Sequence, residues 1–105
     1  MADNYWLYQE LRRISILRVN RIEELILVRN WSGNEHKIYC PDHSEYVVTI
    51  DLVQRVMEMG GDIISFPFSW CSCSMEAKEF SKRNGVLTMP HGETFDFLER
   101  WAARR

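Results

Sequence analysis

The half of the chain from Asp51 to Trp101 alternates helical and strand patterns, and this alternation limits the fold more than any other feature of the sequence. Helices placed between short apolar runs at this spacing indicate parallel strands joined by crossover helices. Asp51 is predicted to cap the first helix, and Gly60-Gly61 to end it in a left-handed turn. The predicted elements are a helix over residues 51–61, a strand over 63–68, a helix over 74–85, a strand over 86–89 and a last helix that presents Phe95, Leu98 and Trp101.

The first half of the chain predicts one helix followed by three strands. Apolar residues recur at three- and four-residue steps from Tyr5 to about Leu17, which is the pattern of an amphipathic helix. Short turns separate strands predicted within 22–31, 36–40 and 45–50, and turns this short favour an antiparallel meander. The sequence therefore predicts a single three-layer α/β domain, with α+β as the alternative class, in which helices flank a mixed sheet in the order α-β-β-β-α-β-α-β-α.

Length, charge and cysteine content exclude several classes of protein. A chain of 105 residues has room for one small core, and its formal net charge of -2 gives no global attraction to nucleic acid or anionic membrane. No apolar run approaches the roughly 20 residues that span a bilayer, so no membrane contact is expected. Three cysteines, an odd number, do not make a disulfide framework, so we expect reduced thiols and a cytoplasmic location.

The predicted parallel strands should end at one edge of the sheet, where ligands of open α/β sheets commonly bind. A free helix N-terminus there favours an anion and lowers the pKa of a thiol, so this edge predicts an anion-binding or thiolate site with His91 as a base. In the structural alternative, Ser72 and Ser74 are helix caps, and Cys71 and Cys73 fill space. The candidate ligand-binding residues at this edge are Ser69, Cys71, Ser72, Cys73, Ser74 and His91.

The cysteines also allow a metal site. Cys40 and His43 have C-x2-H spacing, and Cys71 and Cys73 offer two further thiolates, which together make a four-ligand zinc set. The single residue between Cys71 and Cys73 is shorter than the usual spacing of zinc ligands. In the alternative interpretation, Cys40 is a core residue that ends a strand.

Four charged residues are candidates for acid–base or magnesium chemistry: Glu35, Lys37, Asp42 and Glu45. Turn formation explains Asp42, and solvated or structural roles are favoured for these carboxylates. Four arginines, Arg12, Arg13, Arg18 and Arg21, decorate the first helix and the turn after it. They are either the solvated face of an amphipathic helix or a patch that contacts nucleic-acid phosphates.

The segment from Asp51 to Trp101 also resembles a known family. Its helix ending in Gly60-Gly61, its strand over residues 62–66, its serine-rich turn and its helix around residues 76–80 resemble the restriction-endonuclease-like fold, and most of all the C-terminal half of Mrr-type endonuclease domains. The resemblance covers about half of the chain. It implies a metal-dependent nuclease with an Asp on the second strand and an E/Q-x-K motif on the third. The predicted third strand contains no lysine, and Glu35-x-Lys37 precedes the predicted second strand, so the resemblance implies the fold without the activity.

Together these features predict a non-catalytic α/β domain that binds a protein or nucleic-acid partner. Four Trp, four Tyr and five Phe exceed what a core of this size buries, and exposed apolar patches often mark interfaces. A homodimer is the simplest form of such an interaction. No cofactor is expected for this function. Two alternatives remain, namely a magnesium-dependent nuclease-like enzyme with a relocated carboxylate set, and a thiol or zinc site at the edge that carries Cys71, Cys73 and His91.

Overall fold

A computed structural model describes residues 4–42 and 44–103. Its secondary structure comprises four α-helices and seven β-strands among these residues. In chain order they are α1 (Tyr5–Arg12), β1 (Arg18–Ile22), β2 (Leu25–Arg29), β3 (Glu35–Tyr39), β4 (Val47–Val48), α2 (Ile50–Glu58), β5 (Ile63–Phe66), β6 (Ser72–Cys73), α3 (Met75–Arg83), β7 (Leu87–Pro90) and α4 (His91–Ala103).

Five strands form one mixed sheet in the order β1-β2-β3-β5-β7. The first three strands form an antiparallel meander, and β3, β5 and β7 run parallel because α2 and α3 connect them as crossovers. The remaining strands, β4 and β6, form a separate parallel pair. The predicted mixed α/β sheet flanked by helices is therefore confirmed.

Each face of the sheet carries its own core, because successive strand residues point to opposite faces. On β5, Ile64 packs in the cluster that includes Val53 and Val56 of α2 and Ala77 of α3. Its neighbour Ile63 packs in the opposite cluster with α1 and α4. Because helices cover both faces of β5, all four of its residues are buried, and three of the four are apolar.

Strand β1 differs from the prediction, which had a helix reaching Leu17 and a first strand within 22–31. Helix α1 ends at Arg12, and β1 occupies Arg18–Ile22 at the edge of the sheet. Four of its five residues are exposed and only Val19 is partly buried, so no apolar alternation marks this strand in the sequence. Its order comes from pairing with β2.

The predicted third strand is also different, because only Val47–Val48 is extended and it pairs with β6 outside the main sheet. Helix α2 begins at Ile50, and its cap is Thr49, whose hydroxyl accepts a hydrogen bond from the Leu52 amide at 3.3 Å. Asp51, the predicted cap, instead lies in the first turn of α2. There its negative carboxylate interacts favourably with the positive end of the helix dipole.

Other predicted helix ends are confirmed. Ser74 caps α3 by accepting from the Ala77 amide at 3.1 Å, and Gly60 and Gly85 follow α2 and α3 with φ of +90° and +76°. Within residues 4–42 and 44–103, none of the helices has the length and hydrophobicity needed to cross a membrane.

Candidate functional site

A crevice of about 340 Å³ opens at the carboxyl edge of the parallel strands. Cys40 follows β3, Pro67 follows β5 and His91 follows β7, so the shared direction of the three strands brings these residues to one place. The first turn of α1 closes the opposite wall with Trp6. The lining residues are Trp6, Leu7, Cys40, Pro41, Pro67, Phe68, Ser69, Trp70 and His91.

Aromatic side chains surround the crevice, and no Asp, Glu, Lys or Arg among the described residues lines it. Phe68 is 81% exposed and Trp6 is 54% exposed, although both are large apolar groups. Trp70 extends this surface to Tyr46, with ring centroids 6.3 Å apart. We call Trp6, Tyr46, Phe68 and Trp70 the aromatic rim. Aromatic enrichment without charge is typical of the centre of a protein interface.

A chain of hydrogen bonds leads from His91 into the core. His91 Nδ1 lies 2.6 Å from Ser65 Oγ, which lies 2.7 Å from Thr94 Oγ1, and the Thr94 hydroxyl donates to the Pro90 carbonyl at 3.0 Å. Ser65 and Thr94 are completely buried. Burial lowers the pKa of His91 to about 4, so the imidazole is neutral at pH 7.

The structure divides the six residues predicted as one ligand site. Ser69 and His91 line the crevice, whereas Ser74 caps α3 and Ser72 is exposed on β6. Cys71 is buried in the core beneath α2 and α3, where its thiol donates to the Glu45 carbonyl at 3.3 Å, and Cys73 packs against the same core. Ser72 is therefore not a helix cap, and the six residues do not converge on one ligand.

The expected lowering of the thiol pKa at the start of α3 does not occur. Burial raises the pKa of Cys71 to about 11 and also raises the pKa of Cys73, so both thiols stay protonated at neutral pH. Removal of these sulfurs from water outweighs the helix dipole, because Ser74 separates Cys73 from α3 and its hydroxyl already caps that helix.

The predicted zinc ligands do not come together either. Cys40 belongs to the core on the α1 and α4 side of the sheet, and Cys71 belongs to the core on the α2 and α3 side. His43 lies outside the described residues. Among the residues described, no group of three or more His, Cys, Asp or Glu side chains could hold a metal ion. Cys40 is a buried residue directly after β3, as the alternative interpretation predicts.

The four predicted acid–base residues form two groups along β3. Glu35, its first residue, and Lys37, its third, lie on one face, and Glu35 pairs with Arg29 of β2, whose Nε donates at 3.0 Å. Asp42 and Glu45 follow the end of the strand at Tyr39, which lies about 13 Å from Glu35 and about 7 Å from Lys37 at 3.3 Å per strand residue. Glu35-x-Lys37 thus lies on the third strand of the main sheet, because β1 precedes the two strands that were predicted.

Asp42 and Glu45 organise the connection between β3 and α2. Glu45 Oε1 accepts from the Tyr39 hydroxyl at 2.7 Å and from the Asp42 amide at 2.9 Å, and its other oxygen pairs with Arg55. Burial and the adjacent Glu45 raise the pKa of Tyr39. Asp42 Oδ1 accepts from the Ser44 amide at 2.9 Å, which forms the predicted turn.

Two of the four predicted phosphate-binding arginines share an aromatic neighbour, and the other two have different neighbours. Arg12 and Arg21 lie 5.4 Å and 5.7 Å from the ring centre of Tyr8, and Arg21 also lies 5.5 Å from that of Tyr5. Arg13 pairs with Glu10 at 3.8 Å. Arg18 lines a second depression, of about 450 Å³, beside Arg29 and the exposed Trp31.

Sequence reasoning found His91 and Ser69 but not the rest of the crevice. One signal was present at Ser65, because a serine inside the apolar run of β5 must find a hydrogen-bond partner when it is buried. No sequence pattern relates Trp6 to His91, which are 5.6 Å apart between ring centroids. Comparison of the chain with protein-family models, with curated proteins and with solved structures finds no match.

Proposed function

We propose that this chain is a non-catalytic binding domain that takes an apolar, uncharged segment of a protein partner into its crevice. The observation that carries this proposal is a crevice whose described lining residues include no Asp, Glu, Lys or Arg, next to an aromatic rim in which Phe68 is 81% exposed. Large aromatic groups left in water are costly to an isolated domain and contribute strongly when a partner covers them.

The hydroxyl groups behind the crevice support binding rather than catalysis. The hydroxyls of Ser65 and Thr94 are fully buried and bonded to each other, so neither is available as a nucleophile.

The three cysteines, all within the described residues, form no disulfide, which supports a reducing compartment such as the cytoplasm.

The test is selection of random peptides displayed on phage against the folded protein. Selected peptides should share apolar or aromatic residues and should lose at least tenfold in affinity for Phe68→Ala, the cost of one interface anchor. Trp31→Ala is the matched control, because Trp31 is also exposed but lines the depression formed by β1 and β2. Peptides that bind Phe68→Ala as tightly as the wild type would contradict the proposal.

A second copy of the chain is the simplest protein partner of the crevice. Sedimentation velocity across a concentration series should then show a dimer that Phe68→Ala dissociates. A strict monomer at all concentrations removes the homodimer and leaves a different protein as the partner.

A second candidate is a metal-dependent nuclease-like enzyme on a restriction-endonuclease-like fold. One observation favours it: Glu35 and Lys37 lie on the third strand of the main sheet, where the resemblance requires E-x-K. The second strand carries Arg29 directly opposite Glu35 and no carboxylate at all. Incubation with DNA and RNA in magnesium tests it, and cleavage must disappear in Glu35→Ala and Lys37→Ala; no cleavage by the wild type rejects it.

A further inference from the structure

We infer that the crevice selects a tryptophan side chain of the partner, and that His91 Nε2 accepts the hydrogen bond of the indole N–H. This inference rests on the proposed function, since it names the group that occupies the crevice. It follows from the way in which buried hydroxyls fix the position of the imidazole proton.

The three contacts behind His91 can all be hydrogen bonds in only one arrangement of hydrogens. The Thr94 hydroxyl donates its single hydrogen to the Pro90 carbonyl, so Thr94 Oγ1 can only accept from Ser65. The Ser65 hydroxyl has then used its own hydrogen and can only accept from His91. His91 Nδ1 is therefore the protonated nitrogen, and Nε2 carries the lone pair.

Nε2 lies on the side of the imidazole next to Cys40, which also lines the crevice. Its neighbour there is Cys40 Sγ at 3.9 Å, and a thiol is a weak donor at a long distance. His91 and Cys40 both line the crevice, and Trp6 packs beside the imidazole with 5.6 Å between ring centroids. The crevice thus offers aromatic walls and one fixed acceptor.

An indole matches this combination better than other side chains do. Its N–H donates and accepts nothing, so it leaves no polar atom unpaired when it meets a single acceptor. A tyrosine oxygen would also need a donor, which His91 Nε2 does not supply and which only the exposed hydroxyl of Ser69 could. A lysine or arginine would bury a charge where none of the described lining residues is a carboxylate.

Titration with N-acetyl-tryptophanamide and with its 1-methylindole analogue, followed by NMR, tests the inference. The methyl group removes only the donor, so the analogue should bind about tenfold more weakly. Equal affinity of the two ligands at the crevice overturns the inference and leaves the proposed function standing. Binding of neither ligand also overturns the inference, and the peptide selection then decides the proposed function on its own.

The same preference must depend on Ser65. In Ser65→Ala the imidazole proton is free to move to Nε2, so the preference for indole over 1-methylindole should fall to less than about threefold. Ser81→Ala is the control and should retain the preference, because Ser81 is a buried serine whose hydroxyl bonds within α3. An unchanged preference in Ser65→Ala overturns the inference. The ring nitrogen spectrum of His91 in the wild type gives an answer that needs no variant: a protonated Nδ1 supports the inference, and a protonated Nε2 overturns it.

Discussion

At the scale of single residues, the buried polar chain of His91, Ser65 and Thr94 couples stability to the shape of the crevice. Each of its members satisfies another, so removing one leaves a buried polar atom unpaired. We expect Thr94→Val, which keeps the shape of the side chain, to lower the free energy of unfolding by about 1–3 kcal/mol. Urea denaturation measures this loss. Thr94→Ser retains the hydroxyl and is the control; equal losses in both variants would contradict the role of the hydrogen bond.

The lowered pKa of His91 predicts how the free energy of unfolding depends on pH. Burial lowers its pKa from 6.5 to about 4, so between these values the unfolded chain binds more protons than the folded protein. This contribution is fully present above about pH 6.5 and is lost as the pH falls toward 4. The ring keeps some solvent contact, which limits the loss to about 2 kcal/mol.

Urea denaturation of the wild type and of His91→Gln at pH 7.5 and pH 4.5 isolates this contribution, because glutamine does not titrate. The wild type should lose more stability than the variant between the two pH values. Identical pH dependence would show that His91 is not buried as a neutral group.

At the scale of elements, Thr49 and Asp51 have different roles at the start of α2, although the sequence alone offers either residue as a polar group near the helix start. Thr49 caps the helix through its hydroxyl, and Asp51 contributes only its charge in the first turn. Thr49→Ala should therefore cost about 1 kcal/mol of stability, and Asp51→Asn about 0.5 kcal/mol or less. Thermal or urea unfolding of both variants checks this ranking, and the reverse ranking would restore Asp51 as the cap.

The elements that the sequence predicts well carry their own local signals. Strand β5 lies in a mostly apolar run and begins at Ile63 as predicted, although it ends at Phe66 and not at Phe68. Helix α3 has a capping serine and a following glycine where they were predicted. In contrast, β4 is ordered by a partner distant in sequence, and β1, which has no apolar alternation of its own, is ordered by its hairpin partner β2. Val47–Val48 pairs with Ser72–Cys73, and the exposed residues of β1 follow the register of β2. No local pattern can reveal such pairing.

The sequence also predicts only part of the candidate site, namely the residues placed by the strand order. Parallel strands imply a common carboxyl edge, and this rule correctly located Ser69 and His91 there. It could not supply Trp6, whose position depends on how Leu7 and Leu11 of α1 pack on the sheet. It also could not show that Cys71 faces the opposite core, because its direction depends on the loop between β5 and β6.

At the scale of the whole molecule, binding and folding use different surfaces. The two cores enclose both faces of the sheet, and Phe68 stands outside them. Because Phe68 is 81% exposed, Phe68→Ala should change the free energy of unfolding by less than about 0.5 kcal/mol while it weakens partner binding. Parallel unfolding and binding measurements on this variant check the separation, and a large loss of stability would assign Phe68 to the core.

The central claim is that a partner binds at the crevice on the carboxyl edge of the sheet. The most direct measurement is NMR mapping of a selected peptide on the isotope-labelled protein. We expect the largest shift changes at Trp6, Cys40, Phe68 and His91, which line the crevice. Changes centred on Arg18 and Trp31, in the depression formed by β1 and β2, would contradict the claim and move the binding site to the other end of the sheet.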